Sequence, residues 1–132
     1  MGKKPRGPKR TREALTEAEL EMMTIIWRLG ACTVAQILEA LPPGREVAYT
    51  TVSTIVRILE HKGYVASEKA GRGHVYHALV TKEAYQAKSL DHLVTAVFDG
   101  APTTLVRRLL DSDALSAEDL AEIRALLEKE ER

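Results

Sequence analysis

Hydroxyl, guanidinium and imidazole groups cluster on one side of the segment at residues 48–64, AYTTVSTIVRILEHKGY. Because an α-helix advances by ~100° per residue, that side lies opposite an apolar stripe if the segment is helical. The stripe consists of Val52, Ile55, Val56 and Leu59, and the polar side consists of Thr50, Thr54, Arg57 and His61, flanked by Thr51 and Ser53. Threonine has a branched Cβ and lowers helix propensity, so it suits poorly a face that meets only water. The composition indicates that this face binds something other than solvent.

Duplex DNA is the ligand that suits these groups best. The major groove admits a helix and presents hydrogen-bond donors, acceptors and thymine methyl groups. A threonine hydroxyl can bond to a phosphate or a base edge, and Arg57 can pair with guanine or with phosphate. The alternative is that Thr50 or Thr51 caps the helix and that the other hydroxyls are incidental.

Two helices are predicted ahead of this polar-faced helix. The segment LTEAELEMMTIIWRLG begins with Thr16 and Glu19 in a capping box and ends at Gly30. The segment TVAQILEAL begins at an N-cap, Thr33, and a loop containing the residues PPG follows it. The predicted core positions of the two helices are Leu20, Met23, Ile26, Trp27, Val34, Ile37, Leu38 and Leu41.

A β-hairpin is predicted after the polar-faced helix. YVASEKA and HVYHALV both alternate apolar and polar residues, and Gly71, Arg72 and Gly73 join them. Arg72 between two glycines places one cation on a turn that DNA could approach closely, although a solvated arginine on an ordinary turn would look the same. Tyr76 is expected in the core, and His74 lies on the same strand face. Three helices followed by a hairpin is the order of a winged helix-turn-helix.

Residues 81–132 are predicted to form three further helices with broad apolar stripes. A segment of ~50 residues is marginal on its own, so it either folds back on the first domain or pairs with a second copy. We favour pairing, because a two-fold protein matches a palindromic site. The predicted dimerisation residues are Leu90, Leu93, Val94, Val97, Phe98, Leu105, Val106, Leu109, Leu110, Leu120, Ile123 and Leu127.

Composition limits the class of protein. The 132 residues suffice for one domain or a small domain with an appendage, and no apolar run predicts a membrane span. The formal net charge is zero, but residues 1–80 carry 12 Lys and Arg against 8 Asp and Glu, and residues 81–132 carry 7 against 11. Six of the cations lie in residues 1–12, which read as a flexible basic tail; if it touches anything, an anionic backbone is the expected target. Cys32 is the single cysteine, which favours a reducing, cytoplasmic setting.

In this order, five segments resemble the BlaI/MecI/CopY family of penicillinase-type transcriptional repressors. The segments are LTEAELEMMTIIW, YTTVSTIVRILEHKGYV, GRGHVYHALVTKEAY, FDGAPTTLVRRLL and LSAEDLAEIRALLE, and the resemblance covers roughly residues 14–129. It implies a mainly α fold with a small β-hairpin wing: a winged helix-turn-helix over residues 13–80 and a helical dimerisation domain over residues 81–132. It also implies a homodimer that represses transcription on palindromic operators, with no cofactor. The candidate DNA contacts are Thr33, Tyr49, Thr50, Thr51, Ser53, Thr54, Arg57, Lys62 and Arg72.

Two departures from the family pattern concern release from DNA. In the penicillinase repressors induction involves cleavage of an Asn-Phe bond, and this chain has Arg108-Leu109 at the corresponding place. The copper-responsive members carry a C-terminal cysteine cluster, whereas this chain ends in LLEKEER. The inducing signal therefore stays open, as does an upstream sensor or protease.

Other classes of function fit less well. The four histidines, His61, His74, His77 and His92, show no catalytic or metal-ligand spacing, so neither an enzyme nor a metal site is expected. A winged helix could instead bind a protein, but such a surface should expose large apolar side chains on the third helix. A redox response through Cys32 is a further option, because a thiolate could be stabilised near the start of the second helix.

Overall fold

A computed structural model describes residues 14–131, so the basic tail predicted at residues 1–12 lies outside the described residues. Within the described range the chain forms six α-helices and one two-stranded sheet. In chain order these are α1 (Glu17–Leu29), α2 (Val34–Ala40), α3 (Tyr49–His61), β1 (Val65–Ala70), β2 (Gly73–Ala78), α4 (Lys82–Ala96), α5 (Pro102–Asp111) and α6 (Ala117–Glu130). This is the predicted winged helix-turn-helix followed by helices. The chain divides into two compact units, the first ending at Tyr85 and the second beginning at Gln86.

A capping box begins α1, as predicted, and another begins α2, where only the N-cap Thr33 was predicted. At α1 the Glu19 N–H donates to Thr16 Oγ1 at 3.1 Å and the Thr16 N–H donates to Glu19 Oε1 at 2.9 Å. At α2 the Thr33 hydroxyl accepts from the Gln36 N–H at 3.1 Å, and the Gln36 side chain accepts from the Thr33 N–H at 2.9 Å. Each box satisfies two backbone donors that the helix leaves unpaired, which stabilises the helix by about 1 kcal/mol.

The core of the first unit is formed by one face each of α1, α2 and α3 and by the base of the hairpin. Its apolar members are Met22, Met23, Ile25, Ile26, Cys32, Val34, Ile37, Val52, Val56, Leu59, Tyr64, Val65 and Tyr76. Met22 and Ile25 are absent from the sequence prediction, whereas the predicted Leu20 and Trp27 are only half-buried. The reason is tertiary: α1 contacts α2, α3 and β2, so a wider face of α1 is covered than one apolar stripe provides.

The hairpin is antiparallel, with Val65 paired to Ala78 at its base and Ala70 paired to Gly73 at its tip. The turn therefore has two residues, Gly71 and Arg72, and the prediction that Gly73 belongs to the turn is wrong. Gly71 has φ +61°, a conformation that glycine adopts without steric cost. The shorter turn fixes the register, and hence which side chains share a face of the hairpin.

Aromatic residues link the end of the hairpin to α1. The Trp27 Nε1–H donates to the Val80 carbonyl at 2.8 Å. The Tyr85 ring lies with its centroid 5.7 Å from that of Trp27 and 6.0 Å from that of Tyr64. These contacts explain why the first unit extends past the hairpin to Tyr85.

In the second unit, α4 ends at Ala96, and a turn that contains Val97 and Phe98 follows it. Asp99 and Gly100 have φ of +54° and +77°, and the Gly100 N–H donates to the Val94 carbonyl at 2.9 Å. This left-handed pair closes the helix. At the start of α6, Ser116 and Asp119 form a capping box with distances of 2.9 and 3.0 Å.

Candidate nucleic-acid interface

The start of α3 decides between the two explanations of its threonines. The N-cap residue is Ala48, which offers no side-chain hydrogen bond, and the N–H groups of Thr51 and Val52 donate to its carbonyl at 3.0 and 3.1 Å. Neither Thr50 nor Thr51 is the cap, so the capping explanation of these hydroxyls is wrong. The helix begins without a side-chain cap while hydroxyls follow directly, a costly arrangement if stability were their only purpose.

The exposure of α3 follows the predicted division into two faces. Val52, Val56 and Leu59 are buried, and Ser53 and Ile55 are half-buried. The exposed side chains are Tyr49, Thr50, Thr51, Thr54, Arg57, Ile58 and His61. Within residues 14–131 no ion pair involves the Arg57 guanidinium. The candidate residues on α3 therefore form one surface of hydroxyls, one phenol and one cation that an external ligand can reach.

Ile58 is an exposed residue that the sequence prediction leaves out. It follows Arg57 and lies about 40° around the helix from Thr54, with 39% of its surface accessible. The signal for it was present, because an isoleucine outside the Val52–Leu59 stripe must face away from the core. An exposed methyl among hydroxyls fits contact with a thymine methyl group.

The tip of the hairpin adds two exposed cations. Arg72 lies in the turn, and Lys69 pairs in register with His74 across the two strands. All three side chains are exposed. Since strand side chains alternate, Lys69 and His74 lie on the same hairpin face as the buried Val65. Sequence reasoning misses Lys69 because the faces cannot be assigned until the length of the turn is known.

Tyr76 belongs to the core, as predicted. Its side chain is buried, and its backbone N–H and carbonyl pair with Cys32 at 2.7 and 2.9 Å. Burial raises the pKa of the Tyr76 phenol, Glu60 and Tyr49 raise it further, and Arg57 opposes them. Tyr76 therefore carries a neutral phenol close to three side chains of α3.

Lys62 has a structural role. Its Nζ lies 2.7 Å from Glu19 Oε1 and donates to the Ala14 carbonyl at 3.1 Å, and only 13% of the side chain is accessible. Burial acts to raise the Glu19 pKa, but the hydrogen bonds and charge of Lys62 and the bonds from Thr16 outweigh it, so the pKa is lowered. Glu19 is thus an ionised partner, and a phosphate contact by Lys62 would require the pair to break. We therefore remove Lys62 from the proposed contacts.

Thr33 and Cys32 also take part in the internal structure of the first unit. The Thr33 hydroxyl accepts the capping bond at the start of α2, and its contact with DNA stays a prediction. Cys32 is 2% exposed, and burial raises the pKa of its thiol. A raised pKa is the opposite of a stabilised thiolate, so the redox alternative loses its physical basis.

The second unit exposes most of its apolar side chains. None of the described residues 86–131 is buried. Val94, Phe98, Leu105, Leu120 and Ile123 are half-buried, whereas Val97 and Leu127 expose 62% and 60% of their surface. The other predicted dimerisation residues are exposed as well, namely Leu90, Leu93, Val106, Leu109 and Leu110. Apolar surface on this scale marks an interaction site.

Residues 14–131 contain neither a candidate metal site nor a candidate membrane span. No group of three or more His, Cys, Asp or Glu side chains is placed to hold a metal ion. None of the described helices has the length and hydropathy needed to cross a bilayer.

Comparison with known proteins links the chain to one family. A family model described as the penicillinase repressor matches residues 15–129. The methicillin resistance regulatory protein MecI of Mammaliicoccus sciuri is 26% identical over 115 residues, which cover 87% of this chain and 94% of MecI. The penicillinase repressor of Bacillus licheniformis is 25% identical over 87% of this chain and 90% of its own length. Among solved structures, the DNA-binding domain of the repressor BlaI is 27% identical, covers 54% of this chain and 87% of that domain, and superposes with a TM-score of 0.48.

Proposed function

Because the chain belongs to the penicillinase repressor family, we propose that it represses transcription as a homodimer bound to palindromic operator DNA. The family assignment supports a DNA-binding transcriptional repressor, and the named relatives are repressors and regulators, not enzymes. The dimer, the palindrome and a cytoplasmic location are the parts of the proposal that go beyond the family.

The uncapped, hydroxyl-rich face of α3 is the observation that supports DNA recognition most directly. Thr50, Thr54 and Arg57 are exposed on one side of a helix whose other side is buried. In this proposal α3 enters the major groove, its hydroxyls and Arg57 contact base edges and phosphates, and Arg72 contacts the flanking backbone. If α3 instead bound a protein, it would need a contiguous apolar surface. In α3, all of which the structure describes, Tyr49 and Ile58 are the only exposed large apolar side chains.

The exposed apolar residues of the second unit support the homodimer. Leu110 and Leu127 each expose more than half of their surface in the single chain, and covering such residues is what drives association. A two-fold dimer would present α3 twice, one helical turn of DNA or a multiple of it apart. We leave the releasing signal open. A sensor or protease partner is unidentified, and cleavage at Arg108-Leu109 is not part of the proposal.

Selection of binding sites from a random pool of DNA duplexes tests the proposal. We expect the purified chain to enrich a two-fold-symmetric sequence, and Thr54→Ala and Arg57→Ala each to weaken binding to it by about tenfold. Arg124→Ala in α6 is the matched control, since it removes the same charge outside the first unit. Failure to enrich any sequence at low ionic strength would refute DNA recognition. Enrichment of a sequence without two-fold symmetry would refute the dimeric, palindromic part alone.

A further inference from the structure

One side-chain hydrogen bond joins α3 to the hairpin. The Ser67 hydroxyl in β1 donates to Glu60 Oε2 in the last turn of α3, at 2.8 Å. Both side chains are half-buried. A hydrogen bond with an ionised acceptor is stronger than one between neutral groups. The contact therefore couples the orientation of the hairpin to that of α3.

Ser67 lies at the outer limit of the part of the hairpin that the core holds. Val65 is buried, and Tyr76, the register partner of Ser67, pairs through its backbone with Cys32. Beyond this point residues 68–74 are all exposed. Ser67 is thus the last position on β1 from which the body of the domain can fix the direction of the tip.

The distance from Ser67 to the tip amplifies small changes of angle. Strands rise ~3.3 Å per residue, so the end of β1 lies about 10 Å beyond Ser67, and Arg72 in the turn lies roughly 2 Å further. A pivot of about 10° at Ser67 would move the tip by roughly 2 Å, which is enough to break a hydrogen bond. A contact that suppresses such a pivot would decide whether the tip reaches a fixed phosphate.

The presence of a carboxylate in the last turn of α3 itself needs an explanation. Glu60 follows Arg57 by three residues, and so lies one turn along the helix that we propose to enter DNA. An anion there repels phosphates and lowers affinity for every duplex alike. Its bond to Ser67 supplies a purpose that direct contact with DNA does not.

We propose that Glu60 and Ser67 are positioning residues that set the angle between α3 and the hairpin, so that Arg57 and Arg72 contact one duplex at a fixed spacing. This rests on the proposed DNA-binding function. It assigns specificity to two residues that contact no DNA. Ser67→Ala should weaken binding to the selected operator about fivefold, in line with the loss of one hydrogen bond.

A double-mutant cycle separates positioning from a direct effect. Arg72→Ala, Ser67→Ala and the double variant are measured by titration against the selected operator duplex and a scrambled duplex of the same length. If Ser67 acts through the position of the tip, Arg72→Ala costs markedly less affinity in the Ser67→Ala background than in the natural chain. Glu60→Gln keeps an acceptor for Ser67 and should retain the coupling, and Glu68→Gln is the control for the lost charge. The proposal would be overturned if the affinity losses of Ser67→Ala and Arg72→Ala are additive. It would also be overturned if Glu60→Gln changes affinity by the same amount as Glu68→Gln and shows no coupling to Arg72→Ala.

A measurement without DNA makes the two levels of failure distinguishable. In the free protein, ¹⁵N relaxation should show larger motion at residues 69–74 in Ser67→Ala, with α3 unchanged. An unchanged wing would overturn the positioning role even if operator binding is established. If the natural chain selects no duplex at all, the proposed function fails, and the relaxation result alone then reports whether Ser67 holds the wing.

Discussion

The two units use similar apolar side chains in opposite ways. In the described part of the first unit, thirteen apolar residues are buried, among them Ile26, Val56 and Leu59 with no accessible surface. In the described part of the second unit no residue is buried, although leucines and valines recur along α4, α5 and α6. The first unit has a core of its own, whereas the second lacks the burial from which most helical stability comes. The difference teaches that helical spacing identifies an apolar face but does not tell what covers it.

Ion pairs show the same contrast. In the first unit Glu19 pairs with Lys62 at 2.7 Å, and Arg45 binds Glu21 through two nitrogens at 2.9 and 3.0 Å. The ion pair within the described second unit, Arg108 with Asp111, is 3.7 Å long and lies in solvent. Exposed pairs contribute little to stability. The Arg45–Glu21 pair is also largely exposed, so the contrast between the units depends on the shielded Glu19–Lys62 pair.

The largest expected effect comes from comparing the same substitution at one leucine in each unit. Leu59→Ala should lower the free energy of unfolding by about 3 kcal/mol, because it opens a cavity in the core of the first unit. Leu127→Ala, the same chemical change on α6, should leave the first unit unaffected and act only through association. Urea unfolding followed at two protein concentrations measures both effects. Equal losses at the two sites, independent of concentration, would abolish the distinction between the units.

Glu19→Gln should have the next largest effect on the first unit. It keeps the shape and an acceptor for the capping box, but it removes the negative charge that lies 2.7 Å from the Lys62 ammonium in a site of low exposure. We expect a loss of about 2 kcal/mol in the free energy of unfolding. Glu118→Gln, in the exposed first turn of α6, is the control and should change stability by a few tenths of a kcal/mol at most. A Glu19→Gln variant as stable as the natural chain would contradict the structural role of the pair.

Acid should remove the same contribution. The pKa of Glu19 is lowered in the folded protein from its ordinary value of 4.5, so the unfolded chain takes up this proton first as the pH falls. The stability from Glu19 is therefore fully present above pH 4.5 and is lost as the pH drops through the lower, folded pKa. The difference in unfolding free energy between the natural chain and Glu19→Gln should shrink over that range. A difference that stays constant down to pH 3 would show that the charge of Glu19 is not what stabilises the fold.

Association through the second unit should respond to a single buried charge. Leu110→Asp is expected to weaken the proposed dimer by about tenfold or more, since an apolar contact becomes a carboxylate that must lose water. Thr104→Asp, on another side of α5, introduces the same charge as a control. Sedimentation velocity across a dilution series measures the shift. An unchanged monomer–dimer equilibrium in Leu110→Asp would remove α5 from the proposed interface.

The smallest predicted effects have opposite signs at two threonines. Thr33→Ala removes the cap of α2 and should destabilise the first unit by about 1 kcal/mol. Thr54→Ala removes a branched residue from an exposed helix face and should stabilise it by a few tenths of a kcal/mol, while weakening binding to the selected duplex. Thermal unfolding combined with DNA titration separates the two results. Loss of stability at Thr54 would indicate an internal role for its hydroxyl.

Local signals made part of each unit predictable. Thr16 with Glu19, and Ser116 with Asp119, mark helix starts within four residues of sequence, and glycine at position 30 marks a helix end. The division of α3 into a buried and an exposed face also follows from spacing alone. These features depend on neighbours along the chain, which the sequence displays directly.

Features set by distant residues were not predictable. Lys62 was predicted to contact DNA, because nothing in the neighbouring sequence shows that it binds Glu19, which lies 43 residues earlier. The wide buried face of α1 depends on three elements packing around it. The hydrogen bond between Glu60 and Ser67 required the register of the hairpin, which changes with a turn shortened by one residue. In each case the contact is between two different elements, and the spacing of residues within one helix or strand does not reveal it.

Because Cys32 is buried, chemical modification of its thiol can report unfolding of the natural chain. Its sulfur is shielded by the domain and holds its proton, so an alkylating reagent should modify it only when that unit opens. The rate of modification then measures how often the first unit opens, with no label added. For the same reason, a second cysteine placed on the surface would react first, which permits selective attachment of a probe without removing the natural thiol.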